Sequence, residues 1–245
     1  AQRASWEDSM LHVQNMVLDN CLSTIKHETI YYPNKIKQIV GRLNTQNLSE
    51  EEERENVEAI SELIEYYKGI FTILSSCAAR QLEEVTFRRS TISVADLCEY
   101  AVKYFRKASK GKTSRIEFLT EPIEKRIIGD INQLRFLLEN LIDEALTVHE
   151  DGILKLHAAE DGNYIRFLFT DTRREKSVDE LNKLFYPNLA RMTSGEKGEL
   201  RGTEYLICKQ IIRDHDEFAG RRGCRINAEP AQKGGFTVYF TLPKR

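Results

Sequence analysis

A histidine followed by a glutamate, His27 and Glu28, is the first pair in the sequence that could do chemistry. An exposed imidazole with a near-neutral pKa can act as a nucleophile, while an adjacent carboxylate can hold its tautomer or take its proton. Pro33 follows in the same helix-like pattern, where a proline removes one hydrogen bond and bends the axis. The spacing is consistent with a reactive histidine beside a bend. A solvated histidine on a helix face is the commoner reading of these residues alone, and it stays open.

The composition is ordinary for a soluble globular protein and excludes bulk binding to nucleic acid. The 36 basic and 38 acidic residues leave a formal net charge of -2. The five cysteines are odd in number and widely spaced, which fits a reducing, cytoplasmic setting. No apolar run approaches the ~20 residues of a membrane span. Because the chain opens inside a helix-like pattern, we expect it to be a piece of a longer protein, with any membrane anchor upstream.

Two helices with heptad seams are predicted for residues 1–83. Apolar or seam-compatible residues from Leu18 to Leu43 recur in alternating steps of four and three, which is typical of helix pairing. After a short turn, Ser49 and Glu52 have the spacing of a capping box that opens the second helix. A single antiparallel hairpin buries only one side of each helix, so we expect two copies to pair as a four-helix bundle. The sequence therefore predicts a homodimer.

Residues 84–245 predict a second domain in which strands and helices are mixed. Strands are expected at 85–87, 90–92, 116–119, 126–128, 152–157, 164–170, 224–228 and 236–242, and helices at 94–107, 132–148 and 203–215. Residues 172–201 are expected to be a long polar loop, and loops of that length are usually functional or disordered. The order predicts an α+β sandwich with helices on one face of a mixed sheet.

Short motifs in both halves resemble those of the sensor histidine kinases of two-component systems. Lys26-His27-Glu28 and Pro33 resemble the phosphoacceptor box, although the proline stands one position later than in the family. Five further segments resemble, in order, the asparagine-box helix, the adenine-reading box, the aromatic box of the lid, the end of the second glycine box and the final hairpin: Asp130–Leu146, Phe169–Thr172, Leu184–Pro187, Gly202–Lys209 and Gly223–Pro243. The order of the boxes is more specific than any one of them.

The resemblance implies a reaction and its partners. In such a kinase, ATP would phosphorylate His27 with Glu28 beside it, and the phosphoryl group would pass to an aspartate on the receiver domain of a response regulator. The implied fold is a dimerising helical hairpin over residues 1–83, followed by an ATPase-type sandwich over residues 84–245.

The resemblance also implies a nucleotide site with Mg²⁺. Asp171 would accept a hydrogen bond from the adenine amino group, supported by Thr237 through a water. Asn140 and Gly202 would complete the cofactor site, and Glu144 would hold Mg²⁺, which prefers oxygen ligands. Simpler roles are open as well, since Asp171 could cap a turn and Asn140 could be a polar group on a helix face.

Three residues depart from the family pattern at the nucleotide boxes. Glu144 stands where the family has its Mg²⁺-binding asparagine, Arg173 replaces a glycine of the first glycine box, and Glu204 replaces the middle glycine of the second. A glutamate facing the phosphates would repel ATP by about 1 kcal/mol at about 4 Å in water, and more at lower dielectric. Four nearby arginines could instead contact phosphate: Arg173, Arg174, Arg191 and Arg201.

Three functions are therefore open on the sequence. The first is an active histidine kinase, and the second is a degenerate kinase that acts as a dimeric signalling and docking module without ATP turnover. The third is a helical dimeriser joined to a domain that binds another ligand. Nucleotide binding separates the first from the second, and docking of a regulator to the helices separates the second from the third.

Overall fold

Two long helices form at the N-terminus, as the seams predict. In the computed structural model, α1 spans Gln2–Thr45 and α2 spans Glu50–Ala78. The backbone N–H of Glu52 donates to Ser49 Oγ at 3.3 Å, and the backbone N–H of Ser49 donates to the Glu52 carboxylate at 2.9 Å. This reciprocal pair is the predicted capping box, so it explains where α2 begins.

The structure describes residues 2–45, 47–78, 87–187, 202–232 and 234–245, and inside the first two helices it describes only the backbone of residues 2–5, 22–30 and 65–78. His27 and Glu28 therefore lie on α1, but their side chains are outside the described part. Residues 85–86 of the first predicted strand are also outside it, and Phe87, its last residue, is not in a strand.

Seven strands follow in the second part of the chain. They are β1 (Ser90–Ser93), β2 (Ile116–Glu121), β3 (Arg126–Gly129), β4 (Gly152–Asp161), β5 (Tyr164–Asp171), β6 (Ile226–Pro230) and β7 (Phe236–Pro243). Strands β1 and β3 pair with each other, and the other five form one sheet in the order β2-β4-β5-β7-β6. Only β2 and β4 run parallel in that sheet, so the sheet is mixed, as predicted.

Four helices of the described residues accompany these strands. They are α3 (Val94–Ala108), α4 (Ile131–Ala145), α5 (Val178–Lys183) and α6 (Glu204–Phe218). Helix α5 lies in the stretch predicted to be a loop, so that part of the prediction was wrong. The helix begins at a capping box between Ser177 and Glu180, a signal that the sequence contained.

The core of the sheet depends on the alternation of side chains along β5. Ile165, Phe167 and Phe169 are buried on one face of that strand, and Phe167 stacks on Phe240 of β7 with ring centroids 5.0 Å apart. Because side chains alternate faces along a strand, Asp171 at its end continues the same buried row. A carboxylate is thus carried to the apolar side of the sheet.

The chain divides into two compact units. The sheet unit comprises residues 1–14, 83–186 and 204–245, and the helical unit comprises residues 15–82 and 187–203. Residues 1–14, expected in the helical domain, group with the sheet in the structure. The boundary proposed between residues 83 and 84 stays a prediction.

Candidate functional site

Asp171 lies at the end of β5, where the backbone of another strand approaches it closely. A Cβ atom on Gly235 would stand 1.9 Å from the carbonyl oxygen of Asp171, and the φ angle of Gly235 is +80°. Both the space and the backbone conformation therefore require a glycine at this position. The resulting close approach fixes the backbone of Asp171 and buries its side chain.

Both oxygens of the Asp171 carboxylate are bonded by Arg173, two residues further on. The backbone N–H of Arg173 donates to Oδ1 at 3.0 Å, Nε donates to Oδ1 at 2.9 Å, and Nη2 donates to Oδ2 at 2.9 Å. The two side chains are 0% and 1% exposed. This is a bidentate, charge-assisted pair, which is the strongest geometry that arginine and a carboxylate can adopt.

The remaining donors of Arg173 bond backbone carbonyls. Nη2 donates to the carbonyl of Ala145 at 2.6 Å, and Nη1 donates to those of Val148 and Glu150 at 3.3 and 3.4 Å. A guanidinium has five N–H donors, and here each of them has a partner. The side chain also packs on Gly152, where a Cβ atom would stand 2.5 Å from Arg173 Cγ. Arg173 is therefore fully committed to the interior of the sheet unit.

Arg174 joins the second carboxylate of the site. Its Nη1 lies 3.5 Å from Glu144 Oε1, and its Nε lies 3.3 Å from Asp171 Oδ2. The side chains of Arg174 and Glu144 are 18% and 3% exposed, and the guanidinium lies 5.5 Å from the ring centroid of Phe236. The two arginines, called here the arginine pair (Arg173 and Arg174), thus balance the charge of both buried carboxylates.

The other predicted cofactor residues make local contacts. Asn140 is buried on α4, and its Nδ2 donates to the carbonyl of Phe136 one turn earlier, at 2.7 Å. Thr237 is buried on β7, and its hydroxyl shares a hydrogen bond with that of Thr170 across the sheet at 2.8 Å. The direct partner of Thr237 is therefore Thr170, and Asp171 faces Phe236 in the strand register.

The segment before α6 contains the last of the predicted residues. Gly202 has a φ angle of +72°, and Glu204 is the first residue of the helix. Residues 188–201, which carry Arg191 and Arg201, lie outside the described part of the chain. The structure thus brings Asp171 and Glu144 to one place through the arginine pair, and it leaves the side chains of His27 and Glu28 undescribed.

Arg173 is held by a carboxylate and three carbonyls, and Arg174 lies beside two carboxylates, so the contact of either with phosphate stays a prediction. The signal that could have indicated this arrangement was present in the sequence. Asp171 ends a strand on its buried face, and a cation two or three residues later can turn back onto it. Glu144, a second buried carboxylate, raises the need for such cations.

The family model described as "Histidine kinase-, DNA gyrase B-, and HSP90-like ATPase" matches residues 129–245. The signal transduction histidine-protein kinase BaeS of Escherichia coli is 25% identical over 163 residues, which are 65% of this chain and 33% of that protein. Over these residues the chain is similar to sensor histidine kinases.

A second sensor histidine kinase is also similar to this chain. RcsC of Escherichia coli is 25% identical over 127 residues, which are 51% of this chain and 13% of that protein. The chain therefore spans a third or less of the length of these two relatives, BaeS included.

Solved histidine kinases share the fold of this chain. The catalytic domain of the histidine kinase ThkA matches with a TM-score of 0.50 and 19% identity, over 64% of this chain and 96% of that domain. The crystal structure of ThkA in complex with the response regulator protein TrrA matches with a TM-score of 0.52 and 17% identity, over 98% of this chain and 65% of that one. The predicted fold class, a helical N-terminal region followed by an ATPase-type α+β sandwich, is confirmed.

The two carboxylates that the resemblance assigns to the nucleotide and to Mg²⁺ already have arginine partners. The carboxylate that would read adenine has both oxygens bonded to Arg173, and the carboxylate that would hold Mg²⁺ faces Arg174. Among the residues that the structure describes, no group of three or more His, Cys, Asp or Glu side chains could hold a metal ion. Within the same residues, no helix has the length and apolar character needed to cross a bilayer.

Proposed function

We propose that this chain is the cytoplasmic signalling core of a sensor histidine kinase type protein that works as a dimeric docking module without ATP turnover. The observation that carries the proposal is the bonding of Asp171 by Arg173. The family uses this position to read adenine, and here an internal cation occupies both carboxylate oxygens.

The energies favour the internal cation over a nucleotide. Removing one partner from a buried ion pair costs about 3–5 kcal/mol, because the other charge is left uncompensated. A ligand present at a hundred times its Kd stabilises the state that it binds by only about 2.7 kcal/mol. The Kd of a nucleotide would therefore have to lie far below its working concentration for the nucleotide to displace Arg173. Glu204 would add negative charge near the phosphates and make such affinity harder to reach.

A receiver domain is the partner that fits this role. ThkA, which shares the fold over nearly the whole of this chain, was crystallised with a response regulator protein. Docking would use the helical unit, and His27 with Glu28 would lie at the centre of that surface as they do in the phosphoacceptor box of the family. The near-balanced charge of the chain offers nothing to nucleic acid.

ATP-dependent phosphorylation of His27 is the second candidate. The match of residues 129–245 to an ATPase family and the order of the boxes support it. In this case Arg173 would have to leave Asp171, so that the carboxylate could accept from adenine while Asn140, Gly202 and Thr237 completed the site. Glu144 would then be the residue that holds Mg²⁺, and the phosphoryl group would pass from His27 to a receiver aspartate.

Nucleotide binding decides between the two candidates. The purified chain would be titrated in a calorimeter with a non-hydrolysable ATP analogue and Mg²⁺. The same titration would be made on Arg173→Gly, on Asp171→Ala and on the variant that carries both changes. We expect no saturable heat from the unmodified chain at millimolar nucleotide. Arg173→Gly restores the residue that the family has and frees the carboxylate, so it should gain affinity that a further Asp171→Ala change removes.

Labelling with radioactive ATP tests the active kinase directly. If the unmodified chain acquires an acid-labile phosphoryl group that His27→Ala abolishes, the active kinase is correct and the docking proposal is wrong. If neither the unmodified chain nor Arg173→Gly binds the nucleotide in the calorimeter, then Glu144 and Glu204 also exclude it.

A further inference from the structure

A cavity in the sheet unit lies apart from the arginine pair. Its volume is about 940 Å³, and its walls come from the first turns of α1, the segment that leads into β1, one face of α3 and the N-terminal half of α4. This volume is at the upper end of the range of small-molecule sites, roughly 300–1,000 Å³. None of Asp171, Arg173, Arg174 and Glu144 lines it.

Cations dominate the side chains around this cavity. Arg88, Arg89, Lys107 and Arg135 all line it, and within the described residues none of them forms a salt bridge. Glu139 attracts Lys107 and Arg135, but four cations face two carboxylates in this wall, and an anion in the cavity would relieve the remaining repulsion. The cavity is therefore built for negative charge.

The two carboxylates in the same wall offset only part of the positive charge. Asp130 caps α4 and accepts hydrogen bonds from the backbone N–H groups of Asn132, Gln133 and Arg88, at 2.9, 3.3 and 2.9 Å. Glu139 accepts a hydrogen bond from the hydroxyl of Tyr100. Since Asp130 already satisfies the first amides of α4, the attraction for an anion comes from the side-chain cations and not from the helix end.

Arg135 is the most direct sign of a missing ligand. Its guanidinium carbon lies 4.8 Å from the centroid of the Tyr100 ring, which fixes the side chain against the cavity wall by a cation–π contact. Its Nε atom is buried and has no hydrogen-bond partner among the residues that the structure describes. Buried donors of charged groups are nearly always satisfied, so one that is held in place without a partner indicates a group that the cavity would receive.

We propose that this cavity binds a small phosphorylated molecule that carries at least two phosphate groups. Arginine forks match the oxygens of phosphate in a bidentate manner, and three arginines with one lysine exceed what a single phosphate would need. The volume of the cavity leaves room for linked phosphates or for an organic part against Trp6, whose ring also lies edge-on to Phe136 at 6.3 Å. The site is independent of the proposed loss of ATP turnover.

Trp6 makes the test direct, because it is the single tryptophan of the chain and it lines the cavity. Its fluorescence would be followed while inorganic tripolyphosphate is added to the full chain, with sodium chloride at equal ionic strength as the reference. The site variant is Arg88→Gln with Arg135→Gln. The matched control is Lys110→Gln with Arg115→Gln, which removes the same charge from exposed positions outside the cavity.

A saturable change of emission in the unmodified chain and in the control is the expected result, with the apparent Kd of the site variant raised roughly tenfold or more by the loss of charge-assisted hydrogen bonds. Thermal unfolding of both variants without ligand shows that each is folded. No change beyond that caused by sodium chloride would overturn the proposal, and so would an equal response of the site variant and the control. Tripolyphosphate contains no adenine, so neither result depends on Asp171.

Discussion

Asp171 points into the sheet unit because the alternation of β5 leaves its side chain no other direction. A lone carboxylate in that place would be costly, and Arg173 removes the cost by bonding both oxygens and three carbonyls. The arginine thus has a structural role at the position where the family has a glycine. A residue that fills the site and also holds it together is difficult for a ligand to displace.

The Asp171–Arg173 pair should contribute strongly to stability. We expect Arg173→Met to lower the free energy of unfolding by about 3 kcal/mol or more, because it leaves a buried carboxylate and three carbonyls without partners. Asp171→Asn should have a similar effect, and the double variant should lose less than the sum of the two. Urea unfolding of the four proteins measures this double-mutant cycle.

An exposed pair between the end of β4 and β5 provides the control for that cycle. Arg166 bonds Asp161 through Nε and Nη2 at 3.1 and 2.7 Å, but the side chains are 45% and 47% exposed. Arg166→Met should therefore cost less than about 1 kcal/mol. Equal losses from Arg166→Met and Arg173→Met would show that burial does not strengthen the Asp171 pair, and the argument for a closed site would fail with it.

The sequence predicted the place of Asp171 and contained a signal for its partner, but it could not predict the other contacts of Arg173. Strand alternation is local, so the buried position of Asp171 follows from the residues beside it. The environment of Arg173 is not local, because Ala145, Val148 and Glu150 reach it from the end of α4 and the turn before β4. The position of that turn depends on the packing of the whole sheet unit, which no window of sequence contains.

At the level of elements, a buried histidine joins α6 to the start of α4. His215 of α6 accepts a hydrogen bond at Nε2 from the backbone N–H of Asp130, at 3.0 Å, and its Nδ1 lies 2.7 Å from the carbonyl of Ile211. The ring is edge-on to Phe87 at 5.0 Å. These contacts require the neutral imidazole, with its proton on Nδ1, and burial lowers the pKa of His215 from 6.5 to about 4.

The stability of the α4–α6 joint should fall in mild acid. Between about pH 6.5 and 4, His215 binds a proton in the unfolded chain but not in the folded one, so the free energy of unfolding decreases as the pH falls. The contribution of this group over that range is roughly 3 kcal/mol, and it is constant above about pH 6.5. Urea unfolding at a series of pH values measures the slope.

The variant His215→Gln isolates this contribution from that of the carboxylates. Glutamine can still accept from the Asp130 N–H but does not titrate, so its stability should vary less between pH 6.5 and 4 than that of the unmodified chain. The comparison uses the difference in slope, because the variant also loses the contact with Phe87. Parallel curves for the two proteins would contradict the assignment of this pH dependence to His215.

Elements with long-range periodicity or clear caps were predictable, and short ones were not. Strands β4 and β5, helix α4 and the capping box of α2 lie close to their predicted positions. Helix α5 was missed because six residues contain fewer than two turns, too few for a helical period to appear. Its capping box was the better signal, since a cap depends on two residues rather than on a period.

At the level of the whole molecule, the helical unit leaves apolar seam residues uncovered. Val57 and Ile64 of α2 are 54% and 42% exposed, although both belong to the heptad seam of that helix. Ile39, a seam residue of α1, is buried, so the seams of the two helices differ in exposure. Single exposed apolar residues are common, but a periodic row along a long helix is typical of a surface that a second helix covers.

We expect the full chain to be a dimer at micromolar concentration, with a mass by light scattering twice that of the chain, because pairing would cover this row. Val57→Glu with Ile64→Glu should shift the mass to that of one chain, since two glutamates would be buried without partners. Asn34→Glu with Gln38→Glu adds the same charge at exposed positions off the seam of α1, and it should leave the dimer intact. A monomeric unmodified chain would refute the pairing. A seam variant that stays dimeric would move the interface to another surface, and with it the docking face proposed for a receiver domain.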